Sequence, residues 1–137
     1  MIGALDISHS AVVAQRTRLD VIAGNLANAF TTRQQDGTIE PYRRRFVTLA
    51  SQSLGGDSVG VRVTGVQADE ADFPLRHNPG SPDAIREGPN AGYVRYPNVN
   101  VTLEYVDALE ASRAYEANVA MMGVTRGMIQ SALRLFA

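Results

Sequence analysis

The chain has 137 residues, of which 45% are hydrophobic and 20% charged, with a formal net charge of −1. That composition suits one globular domain and not a disordered chain, and a pI near 6.1 excludes the strongly basic footprint of a general nucleic-acid binder. The absence of cysteine excludes disulfides, thiolate metal sites and cysteine nucleophiles together, while near-zero charge tolerates self-association.

Met1 to Ala14 has no basic start, no unbroken apolar core and an acid at Asp6, so a Sec-type signal peptide is not expected there. No run approaches the roughly 20 apolar residues of a membrane span, and no direct membrane insertion is expected. From Ala4 to Asn28 the pattern is helical. Leu5, Val12, Leu19 and Leu26 recur at intervals of seven, Gln15 and Ile22 follow three residues after Val12 and Leu19, and Arg16, Arg18 and Asp20 lie mostly off the stripe. Asn25, Asn28, Thr31 and Thr32 place the end of the helix near Asn28, because such side chains compete for backbone hydrogen bonds.

The middle of the chain, from Phe30 to Pro97, holds most of the glycines and every proline. Asp36-Gly37 is a turn signal, and Pro41 to Leu49, with Tyr42, Phe46, Val47 and Leu49 around Arg43-Arg44-Arg45, predicts a strand. Gly55-Gly56 is a break. Val59, Val61 and Val63 then alternate with Gly60, Arg62 and Thr64 as in a half-buried strand. Asp69 to Gly92 reads as a long loop with turn signals at Phe73-Pro74, Asn78-Pro79-Gly80 and Ser81-Pro82. Tyr93, Val94 and Tyr96 predict one more short strand, stopped by Pro97.

From Asn98 to Ala137 a second amphipathic helix is expected. Every seventh residue from Val101 gives Ala108, Tyr115, Met122, Ile129 and Phe136, with Tyr105, Ser112, Val119 and Leu133 four residues after all but one of them. Asn100 is the expected N-cap, and Glu104 and Asp107 fall where the helix dipole favours acid. At 1.5 Å per residue this helix is roughly 54 Å long, longer than a compact domain of this size is wide, so it must project or lie beside another long helix. Gly123 and Gly127 weaken it by about 1 kcal/mol each relative to alanine. The expected fold is mostly α with a small β-rich middle: long N- and C-terminal helices packing as an antiparallel coiled-coil-like pair, with an irregular β-hairpin and loop insertion. The expected segments are an N-terminal assembly helix over 1–30, the β-rich middle over 31–97 and a C-terminal assembly helix over 98–137.

The constellations that could carry chemistry are weak. His9 between Ser8 and Ser10, near Asp6, supplies the residue types of a hydrolase triad, but neighbours on one helix diverge where a triad must converge. His77 has no neighbouring metal ligand. Asp69, Glu70 and Asp72 lack the spacing and central glycine of an EF-hand and read as a solvated acidic loop. Arg43 to Arg45 read as a charged strand edge or a subunit contact and not as a phosphate site. Asn100-Val101-Thr102 matches a glycosylation pattern that arises by chance. No phosphate-cradling glycine loop leads from a strand into a helix. No catalytic, cofactor or metal residue is assigned.

One resemblance is specific. Ala4-Leu5-Asp6-Ile7-Ser8, Ala14-Gln15-Arg16, Leu19-Asp20-Val21-Ile22 and Asn25-Leu26-Ala27-Asn28 with Thr31-Thr32 resemble the N-terminal signature of bacterial flagellar rod and hook proteins. Asp36-Gly37 followed by Pro41-Tyr42-Arg43-Arg44, Gly60-Val61-Arg62-Val63, Asp83 ahead of Gly92-Tyr93-Val94, and Tyr96-Pro97-Asn98-Val99-Asn100 are similar to the short proximal-rod members of the basal-body rod family. Ser112-Arg113-Ala114-Tyr115-Glu116-Ala117-Asn118 resembles their C-terminal helix. Gly24 and Phe30 stand where that family usually has asparagine.

The resemblance implies a non-enzymatic axial subunit of the proximal rod, exported by the flagellar type III apparatus and stacked by its terminal helices into a torque-transmitting tube across the periplasm. It implies copies of itself and other flagellar rod proteins as partners, with the MS-ring and export-gate-side adaptor proteins at the base, and neither cofactor nor nucleic acid. The assembly surface expected on these grounds comprises Leu5, Val12, Leu19, Ile22, Asn25, Leu26 and Asn28 on the first helix. On the second it comprises Val101, Tyr105, Ala108, Tyr115, Asn118, Val119, Met122, Ile129 and Leu133. The alternatives are a distal-rod or hook-type subunit, a soluble helical-hairpin module that binds a partner or closes into an oligomer, or an enzyme built on the middle segment. Open filaments or closed dimers in concentration-dependent sizing separate the first kind from the second, and a pocket of convergent polar groups marks the third.

Overall fold

The computed structural model describes residues 2–55 and 58–135. Helix α1 spans Ile2–Ala27, strands β1 and β2 span Arg45–Gly55 and Ser58–Ala68, the short strands β3 and β4 span Leu75–His77 and Tyr93–Arg95, and helix α2 spans Val101–Leu135. The expected architecture of two long terminal helices packed together around a small antiparallel middle is what the chain adopts.

The ends of both helices are set by asparagines. The Asn100 side-chain oxygen accepts the backbone N–H of Thr102 (3.1 Å) and Leu103 (3.2 Å), the N-cap expected for α2. At the end of α1, Asn28 donates from Nδ2 to the Gly24 carbonyl at 2.9 Å, and its oxygen accepts the Thr31 hydroxyl. The Asn100 bonds satisfy N–H groups that have no partner within α2, and the Gly24 carbonyl accepts the Asn28 backbone N–H as well, at 3.2 Å. The Asp36-Gly37 turn forms as expected, with Gly37 at φ 87° and the Thr38 N–H bonded to Asp36.

Strands β1 and β2 form an antiparallel hairpin paired from Arg45↔Ala68 to Gly55↔Ser58, with a slip between Thr48 and Leu49. It packs along α1, so α1 is covered by the hairpin on one side and by α2 on another. Gly60 permits the close approach, because a Cβ there would lie 2.6 Å from both the Ser10 hydroxyl and a Leu54 methyl. Ser10 completes the junction by accepting the Val61 N–H at 3.1 Å, which shields an otherwise open strand edge.

Two expectations in the middle are corrected. The strand expected over Pro41–Leu49 begins only at Arg45 and runs on to Gly55. Its first four residues are held out of the ladder by contacts elsewhere: Tyr42 N–H goes to the Thr31 carbonyl, and Arg44 N–H goes to the Asn98 side chain. The loop expected over Asp69–Gly92 contains β3, which pairs Leu75↔Arg95 through His77↔Tyr93. All three β3 residues are exposed, so no hydrophobic period betrays the strand.

The interior is thin. Among the described residues the buried ones with apolar side chains are Ala14, Ile22, Ala29, Val94 and Ala111 with Pro41 and Pro97, and the buried polar ones are Ser8, Asn25, Glu104 and Thr125. The accessible surface is 9382 Å², against roughly 7,000 Å² for a compact monomer of this mass by the usual scaling.

Candidate assembly surfaces and the polar node

Asn25, the last buried residue of α1, uses its whole hydrogen-bonding capacity. Its Nδ2 donates to the Arg45 carbonyl (2.7 Å) and to Glu104 Oε2 (3.0 Å), while its Oδ1 accepts the Arg45 N–H (2.9 Å) and the Tyr42 hydroxyl (3.1 Å). Glu104 is completely buried, and its other oxygen accepts Arg44 Nε at 2.6 Å. Arg44 lies 3.7 Å from both Asp69 and Asp107. One node thus ties the end of α1, the start of β1 and the first turn of α2. A buried charge held by one cation and one amide is stable only while both remain, and removal of one partner costs about 3–5 kcal/mol. Arg18 reaches Asp107 and Glu110 at 3.6 Å, but these partly exposed contacts are worth little.

Each of the three arginines has a partner within the subunit, and Arg45, the first residue of β1, is also exposed. Arg43 stacks on Phe73 at 4.4 Å and donates to the Asp69 carbonyl, Arg44 pairs with Glu104, and Arg45 lies 5.8 Å over the Tyr42 ring. Farther along, Asp83 accepts the Thr32 hydroxyl (2.7 Å) and the Arg33 guanidinium, pinning the loop before β4 to the segment after α1. The Thr32 bond first, and Arg33 second, hold the Asp83 carboxyl below the usual carboxylate range.

On α2 the expected sevenfold line, Val101, Ala108, Tyr115, Met122 and Ile129, lies on the more protected side; Phe136 is outside the described residues. Its companion line sits three residues on, not four. Glu104, Ala111 and Thr125 are buried and Asn118 is half-buried, whereas Tyr105, Val119 and Leu133 are 59, 45 and 65% exposed. The companions are small or polar, so hydrophobicity gave no sign of them. On α1, Ile22 and Asn25 are buried, while Leu5, Val12, Leu19, Leu26 and Asn28 are half-buried. A second apolar line stays uncovered: Ala117, Met121, Val124, Met128 and Leu135 repeat at heptad spacing on another face of α2, with Met121, Val124 and Met128 at 56, 59 and 60% exposed. Sequence reasoning missed it, although its spacing was available.

Asp6, His9 and Ser10 do share an open cleft of about 500 Å³ between α1 and the hairpin. The Ser10 hydroxyl, however, donates to the Ile7 carbonyl at 2.7 Å and accepts Val61 N–H, so backbone groups occupy it. His77 packs edge-on against Tyr93, 5.1 Å between ring centres. Asp69 accepts the Ala71 N–H at 2.9 Å in a local turn. Among the described residues no group of three His, Asp or Glu is placed to hold a metal ion, and no helix is long and apolar enough to cross a membrane.

Residues 5–34 match the family model described as flagella basal body rod protein, and residues 90–135 match that of the flagellar basal body rod FlgEFG protein C-terminal region. Over 96% of this chain and 95% of its own length, the flagellar basal-body rod protein FlgC of Bacillus subtilis (strain 168) is 41% identical. The FlgC proteins of Borreliella burgdorferi and Salmonella typhimurium (strain LT2) are 36% and 37% identical, each over 98% of this chain and 97% of their own length.

Proposed function

Because the chain belongs to the flagellar basal-body rod protein family and is a structural component of the rod, we propose that it polymerises through its terminal helices into a helical tube that crosses the periplasm and transmits torque. The observation that carries this reading is the uncovered heptad line of α2, Ala117 to Leu135. A helix with two apolar lines, one closed by α1 and one open, is built to meet a neighbouring helix. Tyr105, Val119 and Leu133 extend the open surface, and Leu5, Val12, Leu19 and Leu26 form its counterpart along α1.

Its neighbours are then copies of itself and other rod proteins, with the MS-ring and export-gate-side adaptor proteins at the base. The type III apparatus delivers it as an extended chain, a route that suits a sequence with no cysteine. The test is complementation of a strain lacking the protein with Met121→Asp or Val124→Asp. An unpaired carboxylate in an apolar contact costs several kcal/mol, so both variants should be exported at normal levels yet leave purified basal bodies without a complete rod. Normal rods and swimming in both would overturn the assignment of this face.

A further inference from the structure

The two ends of the helix pair are unlike. Asn25 beside Glu104 and Arg18 beside Asp107 and Glu110 fix an antiparallel register that brings the first turn of α1 level with Thr125. Thr125 is the last buried residue of α2. From there the helix runs on to Leu135, about 15 Å at 1.5 Å per residue, with only Ile129 and Ala132 half-buried among the described residues after Thr125. This tail is apolar at Met128, Leu133 and Leu135, which are 60, 65 and 86% exposed. Between Glu116 and Leu135 its only charged residues are Arg126 and Arg134.

The opposite end carries an open groove of about 770 Å³, framed by the residues just after α1 and just before α2. Its apolar lining includes Phe30, Pro74, Tyr96, Val99 and Val101, and Phe30 is 67% exposed. Arg76, the cation of the groove, is stacked on Tyr96 at 4.9 Å. Asp72 lines the groove and Glu70 is near it in sequence; both are exposed, and neither takes part in an ion pair among the described residues.

We infer that the α2 tail of one copy seats in this groove on a second copy, with Leu133 and Leu135 against Phe30 and Val99 and with Arg134 beside Asp72. An apolar, purely basic helix end and an apolar groove with a free acid are complementary in both respects, and the two surfaces lie at opposite ends of one molecule. Such a contact is heterologous and repeats into an open row of subunits. The inference deepens the rod reading and rests on it for the direction in which the row grows. It also gives the acidic stretch after β2 a role that neither calcium nor solvation supplies.

The absence of cysteine makes the test direct. The full chain carrying both Val99→Cys and Leu133→Cys should give, on mild oxidation, a ladder of dimers, trimers and longer species. A mixture of the two single variants should give the mixed disulfide faster than either gives its own dimer. Arg134→Glu should lower the mixed yield several-fold, because it sets a carboxylate against Asp72 across the contact, and adding Asp72→Arg should restore it. The inference is overturned if no ladder forms at high chain concentration, if Leu133→Cys pairs with itself as fast as with Val99→Cys, or if the charge swap fails to restore the yield. Complementation of the null strain keeps the two readings apart. A ladder from a chain that is missing from basal bodies sinks the rod reading alone, and complete rods built from a chain that gives no ladder sink this contact alone.

Discussion

Asn25 looks in the sequence like a helix-end asparagine, and nothing local marks it as a buried hub, since its partners lie 17, 20 and 79 residues away. Replacement by alanine leaves the Arg45 backbone, the Tyr42 hydroxyl and Glu104 short of partners at once. With about 1–3 kcal/mol for each buried group left unpaired, Asn25→Ala should lower unfolding stability by at least about 3 kcal/mol, read as a drop in urea midpoint at unchanged slope. Asn25→Asp should be worse still, because it sets a second carboxylate against Glu104 and removes the amide that donates to it. Asp83 makes stability depend on pH. Its native carboxyl titrates below the ordinary value, so its contribution is complete above about pH 3.9 and disappears as pH falls through the depressed native value. Thermal unfolding of Asp83→Asn should therefore trail the parent at neutral pH and converge with it in strong acid; a constant gap across that range would remove Asp83 as the cause.

Elements were easier to foresee than their mutual contacts. Both long helices, the Asn100 cap, the Asp36-Gly37 turn and the paired valine strand follow from periodicity and turn chemistry. The side of α2 that meets α1 did not follow, because that seam is made of Glu104, Ala111, Asn118 and Thr125, chosen for small size or for a specific partner. Ala111, fully buried, sets how closely α1 and α2 approach. Ala111→Leu should overpack the seam and cost about 1–3 kcal/mol, whereas Tyr105→Ala, at an exposed position, should leave monomer stability within about 0.5 kcal/mol and weaken only assembly. Equal losses of thermal stability in the two variants would contradict the seam described above. Strand β4 was expected from Tyr93 and Val94, but its partner β3 escaped notice for the converse reason: its three exposed residues are ordered by the partner strand and carry no pattern of their own.

The whole molecule exposes 9382 Å², about a third more than the roughly 7,000 Å² of a compact monomer of its size, because its helices outrun its core. Hydrogen exchange on the dilute chain should accordingly fall into two zones, with protection in α1 and in α2 from Val101 to about Thr125, and fast exchange from Arg126 to Leu135. Uniform protection to Leu135 would mean that the tail is covered within the monomer. The node also has a consequence for timing. Its members, Asn25, Arg44 with Arg45, and Glu104, are spread over most of the sequence, and none is satisfied until all are present. A chain synthesised from its N-terminal end therefore cannot complete the node that fixes its first helix until Glu104 has been made, when about three-quarters of the chain is present. Until then the contacts of Asn25 with Arg45 and Tyr42 leave its second amide proton without the Glu104 carboxylate, and the end of α1 stays reversible.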